Sequence, residues 1–268
     1  ILSILRKFLN MQELVRTPES ELDPNEPGLV LGLATTPEEI KALQRLRYDV
    51  YTKEMNAIFP DAVDGVDKDR FDEWCQHLMV CDSRTEKVVG TYRIMTPENA
   101  EKAGGFYSES EFDLSTLAAD RHLLCECGRS CTHPDYRNGG AIMLLWGGLA
   151  RFLQMNNYRY MFGCASVSLA DGGKQAAEVW QAAKQEMIKT PELPQVRPLE
   201  PYPLEKLEEL QRNGPVKIPP LIKGYLKIGA RICGEPAWDK NFNAADFPVI
   251  IDIEKIDSRY RKHFGLKA

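Results

Sequence analysis

The sequence predicts an α+β fold in which a mixed, mostly antiparallel central sheet carries helices on both faces. Two strand-like runs, 77–82 and 88–95, are joined by a short polar turn, as in an antiparallel hairpin. Apolar residues recur at helical spacing both before and after these runs. The 268 residues suffice for one large domain, and their pattern indicates no independent second core.

The first predicted helix has a clear start. Thr36 can cap it, Pro37 suits its first position, and Glu39 completes a capping box. The apolar stripe that follows consists of Ile40, Leu43, Leu46 and Val50. Residues 1–30 are interpreted as an N-terminal amphipathic segment and linker, and residues 31–268 as a single domain.

The later elements continue the sheet and its helices. Residues 123–127, 158–168 and 247–254 have the composition of strands, and residues 141–157 have helical periodicity. Residues 189–220 hold eight of the seventeen prolines. This density predicts an irregular insertion around one short polar helix.

The charge, the apolar runs and the cysteines of the sequence argue against several classes of function. The formal net charge of -5 argues against general nucleic-acid binding, which usually shows as a basic surplus. The longest apolar runs are too short to span a bilayer. The seven cysteines are scattered, and no cleavable secretory signal precedes them, so we expect reduced thiols and a cytoplasmic protein.

The stretch "CECGRSC" (125–131) allows three interpretations: a metal site, a redox pair, or a strand that carries a catalytic base. The potential zinc ligands nearby are His122, Cys125, Cys127, Cys131 and His133. Structural zinc sites usually pair C-x-x-C or H-x-x-x-H knuckles on separate turns, and C-x-x-C redox spacing is absent. We therefore expect Cys125 and Cys127 to be small buried side chains that face the core, and we expect no metal.

Strand alternation then directs Glu126 to the opposite face. A carboxylate in an apolar strand is costly unless it faces a cleft or a cation. Partial desolvation raises a carboxyl pKa, which suits a general base. Arg129 would point away from Glu126 in a regular strand. A bulge, or the end of the strand near Gly128, would bring both residues into one cleft.

After this strand, Arg137, Gly139 and Gly140 precede a helix, where backbone N–H groups can bind phosphate. A glutamate-bearing strand followed by R-x-x-G and a helix resembles the GNAT superfamily of N-acyltransferases. There an R/Q-x-x-G-x-G/A loop holds the pyrophosphate or phosphopantetheine of a thioester donor. In this chain Ile142 takes the second glycine position. That departure suits a donor presented on a carrier protein.

A narrower resemblance is to the acyl-homoserine lactone synthase branch, which has an arginine on its first helix, a D-x-x-D pair, an arginine on a strand and an E-x-x-R motif. The matching residues here are Arg47, Asp69 with Asp72, Arg93, and Glu126 with Arg129. Longer stretches, such as "CGRSCTHPDYRNGGAIMLLWGGL" and "PPLIKGYLKIGARICGEPAWDKNFNAADF", are similar to the ornithine-lipid-forming Nα-acyltransferases, often labelled hemolysin-like. The resemblance spans roughly residues 30 to 265.

This resemblance implies transfer of a long, 3-hydroxylated fatty acyl group from acyl carrier protein to the α-amine of an amino acid, with ornithine as the leading acceptor. Because the donor is the acyl-phosphopantetheine of the carrier, no separate cofactor is implied. Arg137, Gly139 and Gly140 would hold the phosphopantetheine. Glu126 would remove a proton from the acceptor ammonium; the alternative is an ion pair with Arg129 or Arg93.

The other charged positions each have two interpretations. Arg47, Arg93 and Arg129 would either grip the acceptor carboxylate or organise the D-x-x-D pair. Asp69 and Asp72 would either position those arginines or bind the side-chain cation of the acceptor. We expect all five at the substrate-binding site.

Lys223, Lys227 and Arg231 recur at i, i+4 and i+8, which predicts a cationic stripe on one helix face. Such a stripe would dock the acidic carrier protein; the alternative is a solvated face. A second basic cluster, 258–268, would contact carrier protein or anionic lipid, which allows peripheral contact with the inner membrane face.

Four other functions remain open from the sequence. Two are enzymatic: an N-acyltransferase for glycine or another amino acid, and an acyl-homoserine lactone synthase. The other two are a membrane-active hemolysin-like protein and a carrier-binding protein without turnover. Analysis of the products separates the two enzymatic alternatives, and a lysis assay with Glu126→Gln tests the hemolysin-like alternative.

Overall fold

The computed structural model describes residues 11–16, 28–60, 62–190, 192–211 and 215–267. It shows a nine-stranded mixed sheet and a separate two-stranded ribbon. The strands are β1 (Gln12–Arg16), β2 (Leu29–Leu33), β3 (Gln76–Asp82), β4 (Val88–Met95), β5 (Phe112–Asp113), β6 (Leu124–Thr132), β7 (Tyr160–Ser168), β8 (Arg197–Pro198), β9 (Arg231–Ile232), β10 (Ala237–Asp239) and β11 (Ala244–Asp252).

The main sheet has the order β1-β2-β3-β4-β6-β7-β11-β10, and β9 pairs with β11. Among its described pairs, β6 and β7 run parallel and the others antiparallel. The parallel contact is short, from Leu124–Tyr160 to Glu126–Phe162. Beyond it β6 follows β4 to Thr132, whereas β7 follows β11 to Ser168. The sheet therefore opens into a cleft near its centre.

Seven α-helices lie in the described residues: α1 (Pro37–Met55), α2 (Pro97–Ala103), α3 (Gly140–Met155), α4 (Lys174–Lys189), α5 (Leu204–Glu209), α6 (Pro220–Ile228) and α7 (Ser258–Phe264). Alternate side chains of β3 pack on different helices, so helices cover both faces of the sheet. Leu78 and Val80 pack with α3, whereas Met79 and Cys81 pack with Leu43 of α1. The predicted α+β class with helices on both faces is confirmed.

The start of α1 follows the predicted capping box. The Thr36 hydroxyl accepts a hydrogen bond from Glu39 N, and the Glu39 carboxylate accepts one from Thr36 N. The helix ends at Asn56, which adopts a left-handed conformation at φ 55°. This fixed helix positions Arg47 and Tyr51 on the face that meets β4 and β6.

Two sequence-based expectations about elements are wrong. The linker expected within 1–30 includes a strand, because β1 pairs antiparallel with β2 at the edge of the sheet. The expected amphipathic stretch at 1–10 lies outside the described residues. The cationic stripe does not occupy one helix: α6 ends at Ile228, Gly229 caps it at φ 113°, and Arg231 lies in β9.

Candidate active site

The cleft at the centre of the sheet follows from the separation of β6 and β7. Gly163 stands just past the last paired position, and a Cβ there would lie 2.2 Å from the carbonyl oxygen of Cys127. Only glycine permits this approach of the two backbones. The polar cleft that begins here contains about 940 Å³ of open space and is lined by residues of β4, β6, β7, β10 and β11.

Glu126 lies at the point where the strands separate. Its Oε1 accepts hydrogen bonds from Ser108 N at 2.6 Å and Ser108 Oγ at 2.5 Å, and its Oε2 accepts one from Tyr107 N at 2.9 Å. The residue is 6% exposed and lines the cleft. The turn at 107–110 therefore orients the carboxylate, and Oε2 retains a lone pair for a further partner.

Two effects compete on the acidity of Glu126. Burial raises its pKa, while the hydrogen bonds from Ser108 and Tyr107 and the charge of Arg93 lower it. Burial dominates, so the pKa lies above the ordinary glutamate value. A carboxylate with a raised pKa is a stronger base than an exposed one, which suits proton abstraction near neutral pH.

The expected irregularity in β6 is present. Between the pairs Arg93–Gly128 and Thr91–Cys131, β6 has two residues where β4 has one, which defines a β-bulge. Arg129 lies in this bulge with a φ of 52°. As a result Glu126 and Arg129 both line the cleft, as predicted for a bulged strand.

Three arginines and three aspartates form a closed ionic ring beside Glu126, with the order Arg47, Asp72, Arg93, Asp69, Arg129, Asp67. In it Asp72 contacts Arg47 Nη2 at 2.9 Å and Arg93 Nη1 at 3.1 Å. Burial alone would raise the pKa of Asp72, but the two guanidinium groups hold it well below its ordinary value. Asp72 is therefore ionised and fully committed to its arginines.

The rest of the ring closes through Arg129. Asp69 contacts Arg93 at 2.7 Å and Arg129 at 3.1 Å, and Asp67 lies 2.9 Å from Arg47 Nε and 3.3 Å from Arg129 Nε. The Arg129 guanidinium also stacks near the rings of Tyr107 and Phe242. The formal charges of the ring cancel, three positive against three negative.

Of the predicted substrate-binding residues, some can be reached from the cleft and others cannot. Arg93 and Arg129 line the cleft, and Asp69 stays partly exposed. Arg47 is fully buried, so it supports the ring and does not face a ligand. Asp67 was missed from the sequence, where "DGVDKDRFDE" has the composition of a solvated loop.

The cysteines of the 125–131 stretch behave as packing residues. Cys125 and Cys127 belong to the core cluster under α3, while Leu124 and Phe162 pack on the other face. Burial raises the pKa of both thiols, which keeps them protonated and unreactive. In the described part of the chain the potential ligands that converge are Glu111, Cys164 and Asp246, not the cysteines of this stretch.

A second, apolar cavity adjoins the polar cleft; together with the solvent at its mouth it contains about 580 Å³ of open space. Trp146, Leu149, Val249 and Ile251 contribute to its walls. It shares Tyr92, Cys127, Gly163, Cys164, Ala165 and Tyr225 with the cleft. The Tyr92 and Tyr225 hydroxyl oxygens lie 2.8 Å apart, so a hydrogen-bonded pair marks the junction. An apolar chain in this cavity would reach the polar cleft at Gly163.

The predicted phosphopantetheine-binding loop lies at the far end of β6. Gly139, at φ 100°, precedes α3, and a side chain there would meet open space. Arg137 contacts Glu54 at 2.8 Å and the carbonyl oxygen of Thr132. The six residue steps from Glu126 to Thr132 span about 20 Å of strand, which an extended arm would have to bridge.

Of the predicted docking residues, Lys223 and Lys227 are exposed on α6, one turn apart. Arg231 is partly buried in β9, where its Nη1 donates to the carbonyl oxygen of Ala230. Two exposed lysines therefore remain of the predicted stripe. No helix in the described residues is long and apolar enough to cross a membrane.

The fold and the cleft define a GNAT-type acyltransferase, and a family model for the acetyltransferase (GNAT) domain matches residues 46–147. An L-ornithine N(alpha)-acyltransferase of Brucella abortus is 36% identical over 263 residues, 90% of each chain. Another, of Agrobacterium fabrum, is 34% identical and covers 95% of this chain and 94% of its own length. The chain belongs to the L-ornithine Nα-acyltransferase family, as its sequence motifs predicted.

A solved structure supports the fold at low sequence identity. FeeM, an N-acyl amino acid synthase from uncultured soil microbes, aligns with a TM-score of 0.53 at 13% identity. The match covers 88% of this chain and 95% of that one. The shared fold therefore extends beyond residues 46–147, which the family model matches.

Proposed function

We propose that this enzyme transfers a 3-hydroxylated fatty acyl group from acyl carrier protein to the α-amine of L-ornithine, and that the product is a lyso-ornithine lipid. The observation that carries the reaction is the position of Glu126. It is a buried carboxylate that lines the polar cleft, next to Cys127, which lines both the cleft and the apolar cavity. The names of the relatives, which match over most of the chain, support the choice of acceptor.

The proposed chemistry starts with the acceptor ammonium, which loses a proton to the Glu126 carboxylate directly or through one water. The free amine attacks the thioester carbonyl, and an amide bond forms as the carbon–sulfur bond breaks. The attacking nitrogen loses a second proton as the amide forms; the departing thiolate takes up one of the two protons, and the other passes from Glu126 to solvent. Past Glu126, β6 and β7 do not pair in the described sheet, and backbone N–H groups on their facing edges would stabilise the oxyanion.

The donor would approach from the loop at 137–140, with its phosphopantetheine along β6 and its acyl chain in the apolar cavity. The exposed Lys223 and Lys227 would contact an acidic carrier. In this proposal Arg93 and Arg129 grip the acceptor carboxylate, since both line the cleft beside Glu126. Contact of the basic helix α7 with anionic lipid remains a proposal of the same kind.

The test is an assay of the purified protein with 3-hydroxyacyl-[acyl carrier protein] and a panel of amino acids, following thiol release and product mass. Glu126→Gln should lower the rate with ornithine about 10²- to 10⁴-fold, the usual contribution of a positioned general base. The exposed carboxylate Glu101 on α2 provides the matched control, and Glu101→Gln should keep the wild-type rate.

The pH profile separates a base from a structural carboxylate. Since Glu126 must be ionised to accept a proton, activity should rise with pH through its raised pKa, and this acid limb should disappear in Glu126→Gln. Full activity in that variant would exclude Glu126 as the base. No thiol release with any acceptor would overturn the acyltransferase proposal, and equal use of the acyl group on coenzyme A would overturn the carrier donor.

A further inference from the structure

Two carboxyl groups that the reaction above does not use lie together at the cleft: Asp246 lines it, and Glu111 lies beside Asp246. Glu111 follows the 107–110 turn, and Asp246 lies in β11. One carboxylate oxygen of each lies within 4.8 Å of the other and of Cys164 Sγ. Asp246 is 2% exposed and lines the cleft, so its charge would be buried beside the acceptor site.

Neither carboxyl group is fully satisfied by the protein. Glu111 Oε2 and Asp246 Oδ1 are buried and have no hydrogen-bond donor among the described residues, while the two carboxyl groups otherwise interact with each other and with the side chains of Tyr107, Cys164 and Ser166. The ion pairs found in the described parts of the chain include neither side chain. Two adjacent carboxylates without a cation are unfavourable, so the pair needs either a shared proton or a positive ligand.

The pair lies within one side chain's reach of the catalytic carboxylate. Ser108 Oγ is 2.5 Å from Glu126 Oε1 and 3.6 Å from Cys164 Sγ, which in turn belongs to the cluster with Glu111 and Asp246. The two amines of an extended ornithine are about 6 Å apart, given five single bonds of roughly 1.5 Å. An acceptor with its α-amine at Glu126 can therefore place its terminal amine at the pair.

The other acidic residues of the cleft have fixed partners. Asp69 and Asp72 are held by arginines of the ionic ring, which leaves them no charge to offer a ligand. Asp239 Oδ1 accepts hydrogen bonds from Asn241 N and Phe242 N and stabilises a turn. Glu111 and Asp246 differ from them because their inward oxygens are unpartnered.

We propose that Glu111 and Asp246 together bind the side-chain ammonium of the acceptor and so select an amino acid with a terminal amine. This assignment rests on the proposed function and adds to it the residues that determine specificity. It replaces the sequence-based alternative in which Asp69 and Asp72 bind that cation. Ser166, opposite Asp246 in the β7–β11 pairing, lies at the same end of the cleft.

A metal ion is the competing occupant. The cluster offers two carboxylates and one thiol within 4.8 Å. Burial, together with the charges of Glu111 and Asp246, raises the pKa of the Cys164 thiol well above its ordinary value. A protonated thiol is a poor metal ligand, whereas two carboxylates bind an ammonium group well.

The test compares L-ornithine with L-norvaline, which has the same chain length without the terminal amine, in the wild type, Asp246→Asn and Glu111→Gln. A buried charge-assisted hydrogen bond contributes about 1.5–3 kcal/mol, so the wild type should favour ornithine in KM by about 10- to 100-fold. Each variant should lose most of this preference by raising KM for ornithine. KM for norvaline and kcat for both should stay within about twofold.

Asp113→Asn is the matched control, because Asp113 is an exposed carboxylate two residues after Glu111 and outside the cleft. It should keep the wild-type preference. A variant that lowers kcat for both substrates equally would indicate a structural role and overturn the inference. Loss of the ornithine preference with a chelator, and its return with Zn²⁺, would assign the cluster to a metal and overturn it as well.

The wild type alone also gives a decisive result if a variant fails to fold. Equal acylation of norvaline and ornithine would overturn the role of the pair while leaving the acyltransferase proposal intact. Acylation of neither amino acid would overturn the proposed function, and this inference with it. A clear preference for ornithine that survives in both variants would place the specificity elsewhere.

Discussion

Two groups of largely buried carboxylates lie at the same cleft and have opposite surroundings. In the ionic ring each aspartate lies within 3.3 Å of two guanidinium groups. Among the described residues, no ion pair involves Glu111 or Asp246, and one buried oxygen of each has no hydrogen-bond donor. Buried charge in a protein is tolerated when it is neutralised, so the first group is complete without ligand and the second is not. The comparison distinguishes acidic residues that build the site from acidic residues that recognise a ligand.

The largest effect should come from breaking the ring. Arg47→Met removes the fully buried guanidinium that contacts Asp67 and Asp72, leaving both carboxylates undercompensated. Loss of one partner of a buried ion pair costs about 3–5 kcal/mol, so the free energy of unfolding should fall by that amount. Chemical denaturation measures it. A change below about 1 kcal/mol would show that the ring does not support the fold.

At the Glu111–Asp246 pair we expect a smaller change in the free energy of unfolding, and one of opposite sign. Burial first, then the charge of Glu111, raises the pKa of Asp246, and burial raises that of Glu111. The groups that face the pair are Tyr107 on its turn, Cys164 and Ser166 on β7, and Asp239 on β10. An acid whose pKa is raised by folding begins to destabilise the folded protein once the pH exceeds the pKa that the acid has in the unfolded chain. The destabilisation is complete above the pKa that the acid has in the folded protein.

Asp246→Asn should therefore stabilise the ligand-free protein at about pH 8, by about 1.4 kcal/mol for each pKa unit that burial adds, and the gain should vanish toward about pH 4. Thermal unfolding as a function of pH checks this. A variant that is less stable at all pH values would mean that Asp246 is satisfied in the protein, which would remove the contrast with the ring.

The smallest effect is expected at a partly exposed ion pair between Glu109, on the 107–110 turn, and Arg121. Arg121 Nη1 lies 2.7 Å from Glu109 Oε1, but both side chains are about one-third exposed. Arg121→Met should lower the free energy of unfolding by about 0–1 kcal/mol, because solvent screens such pairs. Denaturation of this variant beside Arg47→Met sets the scale for the ring. Equal losses would indicate that burial is not what makes the ring important.

Local patterns predicted much of the reaction centre. Alternation along "CECGRSC" placed the cysteines in the core and Glu126 on the opposite face, because one strand fixes both. The need to bring Arg129 onto the same side predicted either a bulge or the end of the strand near Gly128, and β6 has the bulge. The i, i+4, i+8 spacing predicted one helix from Lys223 to Arg231, whereas Gly229, a usual helix terminator, ends α6 before Arg231.

The remaining site residues could not be found in this way. Glu111 and Asp246 are far apart in the chain and meet only because the 107–111 segment crosses the cleft toward β11. No periodicity encodes that contact. Asp67 was hidden for a different reason: its role depends on ion pairs with Arg47 and Arg129 from two other elements. Long-range pairing, and not local propensity, determines both groups.

Because of the bulge in β6, the number of residues between Glu126 and Arg129 matters to the site as well as their identity. Arg129 reaches the cleft because β6 carries one extra residue there against β4, so Glu126 and Arg129 are three positions apart and yet on one side. Deleting one residue between them would keep both charged side chains in the chain but remove the irregularity that shapes this part of the cleft. The length of this stretch therefore contributes to the geometry of the site, as do its residue types.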